Sequence, residues 1–256
     1  MSDPAQSRWR ERRRASTIAE IKGLARELLV KGGPEAISLR AISREMGMVP
    51  SALYRYYPTL DDLVAALRGD LFHELGHVTV AAKEHPADAH PTARITAMAR
   101  ALRSWGLAHR QEFGLILGPP VSGTSVDNEA DIDHGVACIG IALLEEFVEL
   151  WRRGELVVPA VESAGDPLVP PFGAYIARNE GIEVPVVFAF LSAWTRLYGI
   201  IAMEIFGHMG WAVTDTEEFF ETELTNFVRQ LSHGEPEAQP STPTTDKRAA
   251  SSTLGA

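Results

Sequence analysis

An all-α fold is predicted by three features of this 256-residue chain. Apolar residues recur at steps of three and four, no stretch alternates apolar and polar with a period of two, and Gly/Pro-rich stretches separate the periodic runs. A composition of 45% hydrophobic and 23% charged residues is that of an ordinary globular protein of one or two domains.

The first helix is expected over Ala15–Lys31. Ile18, Ile21, Ala25 and Leu28 form its apolar stripe, and Gly32-Gly33 supplies a stop. Pro34 to Ile37 connects it to a short helix, Leu39–Met46, with Ser38 as N-cap and Gly47 at its end, where a positive φ is easy. Pro50 opens a third short helix because its missing N–H has no intrahelical partner in the first turn, and Pro58 stops it. Thr59 caps a long fourth helix running to about Glu84, with Asp61 and Asp62 in its first turn, where the helix dipole favours them.

Further helices are expected at Thr92–Ala108, Arg110–Leu117, Asp131–Arg153, Val184–Phe206 and Asp215–Ser232. Pro119 to Asp127 and Gly154 to Glu183 read as loops, the latter long enough to be functional. After Gly234 the chain is rich in Pro, Ser, Thr, Ala and Gln, so 234–256 is expected to be a disordered tail.

Charge is unevenly spread. Residues 1–60 hold 11 Lys plus Arg against 6 Asp plus Glu, whereas residues 61–256 hold 13 against 28. A basic head on an acidic body points to a small module that meets a polyanion and a larger one that does not. Arg8, Arg10, Arg12, Arg13 and Arg14 form either a solvated start or a flexible basic arm, 1–14, lying along DNA phosphates or in the minor groove.

The polar opening and the lack of about 18 consecutive apolar residues argue against a secretory leader and a membrane span. A single cysteine, Cys138, cannot form an internal disulfide. The chain therefore reads as cytoplasmic, with no membrane partner.

Ser38-Leu39-x-x-Ile42, then Gly47, Leu53 and Tyr54-x-Tyr56-Tyr57, describe helix, glycine turn and helix around a small core: a helix-turn-helix. Its second helix is expected to expose Ser51, Ala52 and Arg55, with Tyr54 and Tyr56, and the small residues at its start permit close approach to base edges. Arg40 and Thr59 are placed to grip phosphates. Tyr57 is assigned to the core and Tyr54 to DNA.

The stretch Gly33 to Leu63 resembles the TetR family of transcriptional regulators nearly position by position. It includes Ser38-Leu39-Arg40-Ala41-Ile42-Ser43-Arg44-Glu45-Met46-Gly47-Met48-Val49 and Leu53-Tyr54-Arg55-Tyr56-Tyr57-Pro58-Thr59-Leu60-Asp61-Asp62-Leu63. The resemblance implies a head of three helices, 15–70 with its motif at 38–57, and base or backbone contacts from Arg40, Pro50, Ser51, Ala52, Tyr54 and Tyr56. Two positions depart from the family pattern: Leu60 stands where a phosphate-binding lysine is usual, and Val49 where a small polar cap is frequent.

Further along, Leu102-Arg103-Ser104-Trp105-Gly106-Leu107-Ala108-His109 and Trp194-Thr195-Arg196-Leu197-Tyr198-Gly199 resemble the family's C-terminal domains with a Trp-x-x-x-His-Gly signature, Tyr198 replacing the histidine. This implies an effector-binding and dimerisation body, 71–233, whose last two helices pair two copies. The helix at Val184–Phe206 independently supports pairing, since its apolar residues cover more circumference than one neighbour can bury. A small-molecule effector, largely apolar, is expected among Phe72, Met98, Trp105, Phe113, Leu117, Cys138, Trp194 and Tyr198, each of which also fits ordinary core packing.

Enzyme and metal readings are weaker. Glu74-Leu75-Gly76-His77 has the Glu-x-x-His spacing of di-iron bundles without a second copy, Glu204 and His208 are four apart, and no nucleophile elbow, phosphate loop or dinucleotide fingerprint is present. No catalytic residue, metal or cofactor is expected. The expectation is a ligand-responsive repressor of a palindromic double-stranded operator; the alternative is a ligand-independent DNA-bound structural protein, or a helical binding module that has lost DNA affinity.

Overall fold

The computed structural model describes residues 4–84, 89–118, 137–158 and 182–233. Its helices are α1 (Pro4–Gly32), α2 (Leu39–Glu45), α3 (Pro50–Leu53), α4 (Leu60–Lys83), α5 (Pro91–Ala108), α6 (Arg110–Leu117), α7 (Ala137–Arg152), α8 (Val184–Ile205) and α9 (Thr216–His233), with a 3₁₀ turn at Pro34–Ala36. The described residues contain no strand. The segments 119–136, most of the 154–183 loop and the 234–256 tail lie outside the described residues.

The head is α1 to α3 with the start of α4. Ile21, Ala25 and Leu29 on α1 are fully buried against Ile42, Leu53 and Leu63, and Tyr57 closes this core. Burying these side chains contributes about 1.5–3 kcal/mol each, which far exceeds what a four-residue helix such as α3 could supply from its own hydrogen bonds. The same apolar core continues without a break through Leu67, Leu71 and Leu75 into the body. There α4 packs along α5, α7 covers both, and α8 and α9 close the remaining side.

The caps divide into two kinds. Thr59 and Asp62 form a reciprocal capping box, with Thr59 N–H donating to the Asp62 carboxylate at 3.0 Å and Asp62 N–H to Thr59 Oγ1 at 3.1 Å. Ser38 is extended at the N-cap position but its side chain makes no capping bond. Gly47 takes φ 62°, so the turn between α2 and α3 uses the left-handed region that costs a side-chain-bearing residue about 1–2 kcal/mol.

The start of α1 corrects the sequence reading. The helix begins at Pro4, not Ala15, so the described part of the basic arm forms its first turns. Local bonds account for this: Ser7 Oγ donates to Glu11 at 3.3 Å, Thr17 Oγ1 to the Arg13 carbonyl, and the Arg13 guanidinium lies 5.2 Å over the Trp9 ring one turn back. Arg and Ala are strong helix formers, and i,i+4 pairs add to them.

A second correction concerns α3, which closes at Leu53; Tyr54 to Tyr56 continue as turns, with Tyr56 and Tyr57 N–H both donating to the Leu53 carbonyl.

By length and composition α8 could cross a membrane, but it packs as a core helix with Val186, Val187, Phe190, Leu197 and Ile201 buried. Its acidic side chain, Glu204, is held by Arg103 of α5.

Candidate nucleic-acid interface

The helices on either side of the turn at Gly47 leave polar and cationic side chains exposed. Arg40, Pro50, Ser51, Tyr54, Arg55 and Thr59 are exposed, and Ala52 and Tyr56 are half-buried. Tyr54 is 48% exposed and Tyr57 is buried, as the spacing predicts. Burial pushes the Tyr57 hydroxyl above its ordinary pKa, with Asp70 adding to the shift, so it stays a neutral core group. Among the described residues Arg40 and Arg55 have no carboxylate partner. Their charge is therefore unspent in the fold.

Both family departures are visible. Val49 caps α3 without any side-chain bond and is 65% exposed. Leu60, at the first position of α4, is exposed as well. An α4 N-terminus whose donors are partly taken by the Thr59–Asp62 box still offers backbone N–H groups to an anion.

Sequence reasoning missed how the extended α1 meets this surface. Arg14 lies 5.5 Å over the ring of Tyr56. Both help line a groove of about 540 Å³, with Trp9, Arg10, Arg13, Met46 and Met48. Arg8, Arg10, Arg12 and Arg13 are all exposed on this extension. The missed signal was a continuous run of strong helix formers from Arg10 to Ala15.

In the body the residues assigned to an effector are dispersed over several helices. Phe72, Met98, Trp105 and Phe113 are buried, while Trp194, Tyr198 and Leu117 are half-buried. The side chain of Cys138 lies outside the described residues. Phe113 and Tyr198 are joined, their rings near-parallel with centroids 6.5 Å apart, and Tyr198 O–H donates to the Leu117 carbonyl. Trp105 is engaged elsewhere: its Nε1–H donates to Glu74 at 2.9 Å and its ring stacks on His109.

The metal-like spacings are absorbed by ion pairs. Glu74 accepts from Arg26 on α1. Glu204 accepts from Arg103 Nε and Nη2, both at 2.7 Å, and does not pair with His208. His73 and His77 pack edge to face on α4 with centroids 4.3 Å apart. Among the described residues no group of three potential metal ligands occurs.

The head matches the family model "Bacterial regulatory proteins, tetR family" over residues 23–67, and the body matches "Tetracyclin repressor-like, C-terminal domain" over residues 95–227. The chain is 28% identical over 218 residues to the HTH-type transcriptional regulator Rv1816 of Mycobacterium tuberculosis, covering 83% of this chain and 91% of that protein. The crystal structure of SCO4313, described as a regulatory protein, is similar at 29% identity with a TM-score of 0.63, covering 85% of this chain and 97% of that one. RolR in complex with resorcinol shares the fold at 15% identity and a TM-score of 0.53, covering 86% of this chain and 90% of its own. With an exposed helix-turn-helix surface at one end, a helical body at the other and both halves matched, this chain belongs to the TetR family of DNA-binding transcriptional regulators.

Proposed function

We propose that this regulator is a repressor that binds a palindromic operator as a homodimer and is released by a small, largely apolar effector. The observation that carries the reading is the exposure of Ser51, Tyr54 and Arg55 in and just after α3, and of Arg40 in α2, the two helices of the helix-turn-helix. A helix held there by an apolar core behind it can enter a major groove without unfolding anything.

Contacts divide by chemistry. Pro50, Ser51, Ala52 and Tyr54 would meet base edges. Arg40, Arg55, Tyr56 and Thr59 would meet phosphates, as would Arg8, Arg10, Arg12 and Arg13 on the first turns of α1. A second copy is supported by apolar side chains that one chain leaves exposed on and around α8 and α9: Val184, Met203, Phe206, Phe219 and Trp211, the last 88% exposed. Phe220, Leu224, Phe227 and Leu231 of α9 are buried within the same chain, so the second copy would meet the opposite side of that helix.

The effector reading is supported by the aromatic cluster of Phe113, Tyr198 and Phe206 in the body and by the resorcinol complex of a protein with the same fold. To move the population from 1:99 to 99:1 the effector must prefer the DNA-incompetent form by about 5.5 kcal/mol, with α4 as the lever between head and body. A regulator of this kind works in the cytoplasm.

Binding-site selection from random duplexes tests the DNA reading: recovery of an inverted repeat is expected, and recovery of unrelated sequences alone would overturn it. Uncharged aromatic compounds are then screened for operator release. Release of wild type by a compound that fails on Trp105→Ala and Trp194→Ala is expected. Wild-type release in both variants would remove the pocket.

A further inference from the structure

Arg26 stands at the only point where head and body are joined by a forked ion pair among the described residues. On α1, its Nη1 and Nη2 donate to the two oxygens of Glu74 on α4 at 2.7 and 3.2 Å, and its Nε donates to Glu112 on α6 at 3.2 Å. Glu74 is shared in turn, accepting from Trp105 Nε1 on α5 at 2.9 Å. The guanidinium thus ties α1 to α4 and α6, and through Glu74 the network reaches α5. Glu112 is buried, and a buried carboxylate deprived of its cation costs several kcal/mol, so the arrangement resists any movement of α1 away from α6.

The helix on the far side of this clasp is itself tied down. Arg110 Nη1 donates to the Ile205 carbonyl at 2.8 Å, and Leu117 accepts from the Tyr198 hydroxyl, so both ends of α6 are fastened to α8. The chain of contacts runs from α8 through α6 to Arg26 and so to the head. Apolar packing around it is non-directional, whereas a guanidinium fork bonds only along fixed directions. Helix packing favours a range of crossing angles, and the fork adds a directional constraint that narrows that range.

We infer that Arg26, Glu74 and Glu112 are positioning residues for operator binding: they touch no DNA, but they fix the tilt of each head on its body and thereby the spacing between half-sites that the dimer accepts. This rests on the dimeric operator reading proposed above. It adds a determinant of specificity that lies well behind the DNA-contacting surface.

Two mild variants test it, Arg26→Lys, which keeps the charge and loses the fork, and Glu112→Gln, which keeps the shape and loses the charge. Affinity is measured for the selected operator and for versions with the half-sites moved by one or two base pairs. Wild type should discriminate by about tenfold, and each variant by about threefold or less, with the preferred half-site sequence unchanged. In parallel, spin labels at Glu35→Cys in the head and Arg152→Cys in the body, in a Cys138→Ser background diluted with unlabelled protein, report the head-to-body distance within one chain without DNA.

A broader distance distribution in both variants is expected. Unchanged widths overturn the proposal, and so does unchanged spacing discrimination, whatever happens to thermal stability. If wild type selects no inverted repeat, the operator reading fails, and the spin-label widths still decide whether the clasp holds the head.

Discussion

The Arg14 guanidinium lies 5.5 Å over the ring of Tyr56, which fastens the first turns of α1 to the segment following α3. A disordered basic arm would pay to become ordered on DNA, whereas this extension is ordered beforehand, and a surface with its entropy already lost binds more tightly per contact. Deleting residues 1–13 should therefore weaken operator binding and flatten its salt dependence. The slope of log affinity against log salt falls by about 0.9 for each phosphate contact removed. An unchanged slope in a filter-binding or anisotropy titration would leave the extension without a role on DNA.

Ser51 and Tyr54 are exposed and lie outside the core, so Ser51→Ala and Tyr54→Ala should melt within about 0.5 kcal/mol of wild type. Each should lose about 1–3 kcal/mol on the cognate duplex and little on a scrambled one. Equal losses on both duplexes would reassign these side chains to phosphate contact.

How far the sequence foretold this arrangement depended on whether the signal was local. Gly47, Pro50 and Thr59 act within a turn of themselves, and the boundaries they predict for α2, for the start of α3 and for α4 agree with the structure to within one residue. Tyr57 in the core and Tyr54 outside it followed from helical spacing. The clasp was not legible, because Arg26 and Glu112 are 86 residues apart and each on its own resembles an ordinary charge on a helix face. Glu204 was read against His208, four residues along the chain, for the same reason, whereas a longer-range partner, Arg103, takes it. The start of α1 was placed late because a run of arginines was weighed by charge and not by helix propensity.

Gly106 shows how closely α5, α6 and α8 approach. A Cβ built there would lie 2.4 Å from Ile205 Cδ1 and 2.9 Å from Phe113 Cδ2. Both neighbours are buried, so neither can turn out to solvent. Gly106→Ala removes a helix-interior glycine, which favours stability by up to about 1 kcal/mol, but overpacking costs about 1–3 kcal/mol, and the net is expected to be destabilising. Phe113 also faces Tyr198. The same variant should therefore shift the near-ultraviolet circular dichroism of the body while leaving the head's half-site preference intact. A melting temperature at or above wild type would show that the packing yields more than rigid side chains allow.

Acid should expose the contribution of Glu204. Burial opposes its ionisation, yet hydrogen bonds from Arg103 and Thr216 outweigh that and hold its carboxyl below the usual carboxylate range. Glu74 is likewise held low, chiefly by Arg26, and Glu221 by Arg100. A carboxyl whose pKa is depressed in the folded chain stabilises the fold fully above its unfolded pKa of about 4.3 and loses that contribution as pH falls through the lower folded value. Stability is therefore expected to be level near neutral pH and to fall steeply below about pH 4. Because several acids share that limb, the test is a difference. Glu204→Gln should cost about 2 kcal/mol at pH 7, since it leaves the Arg103 guanidinium, mostly buried over the Phe220 ring, without its counter-charge. The gap to wild type should then close as both proteins are acidified. Urea melts of the two at pH 7 and pH 3 measure it directly, and a gap of the same size at both values would mean that Glu204 stabilises the bundle by packing and not by charge.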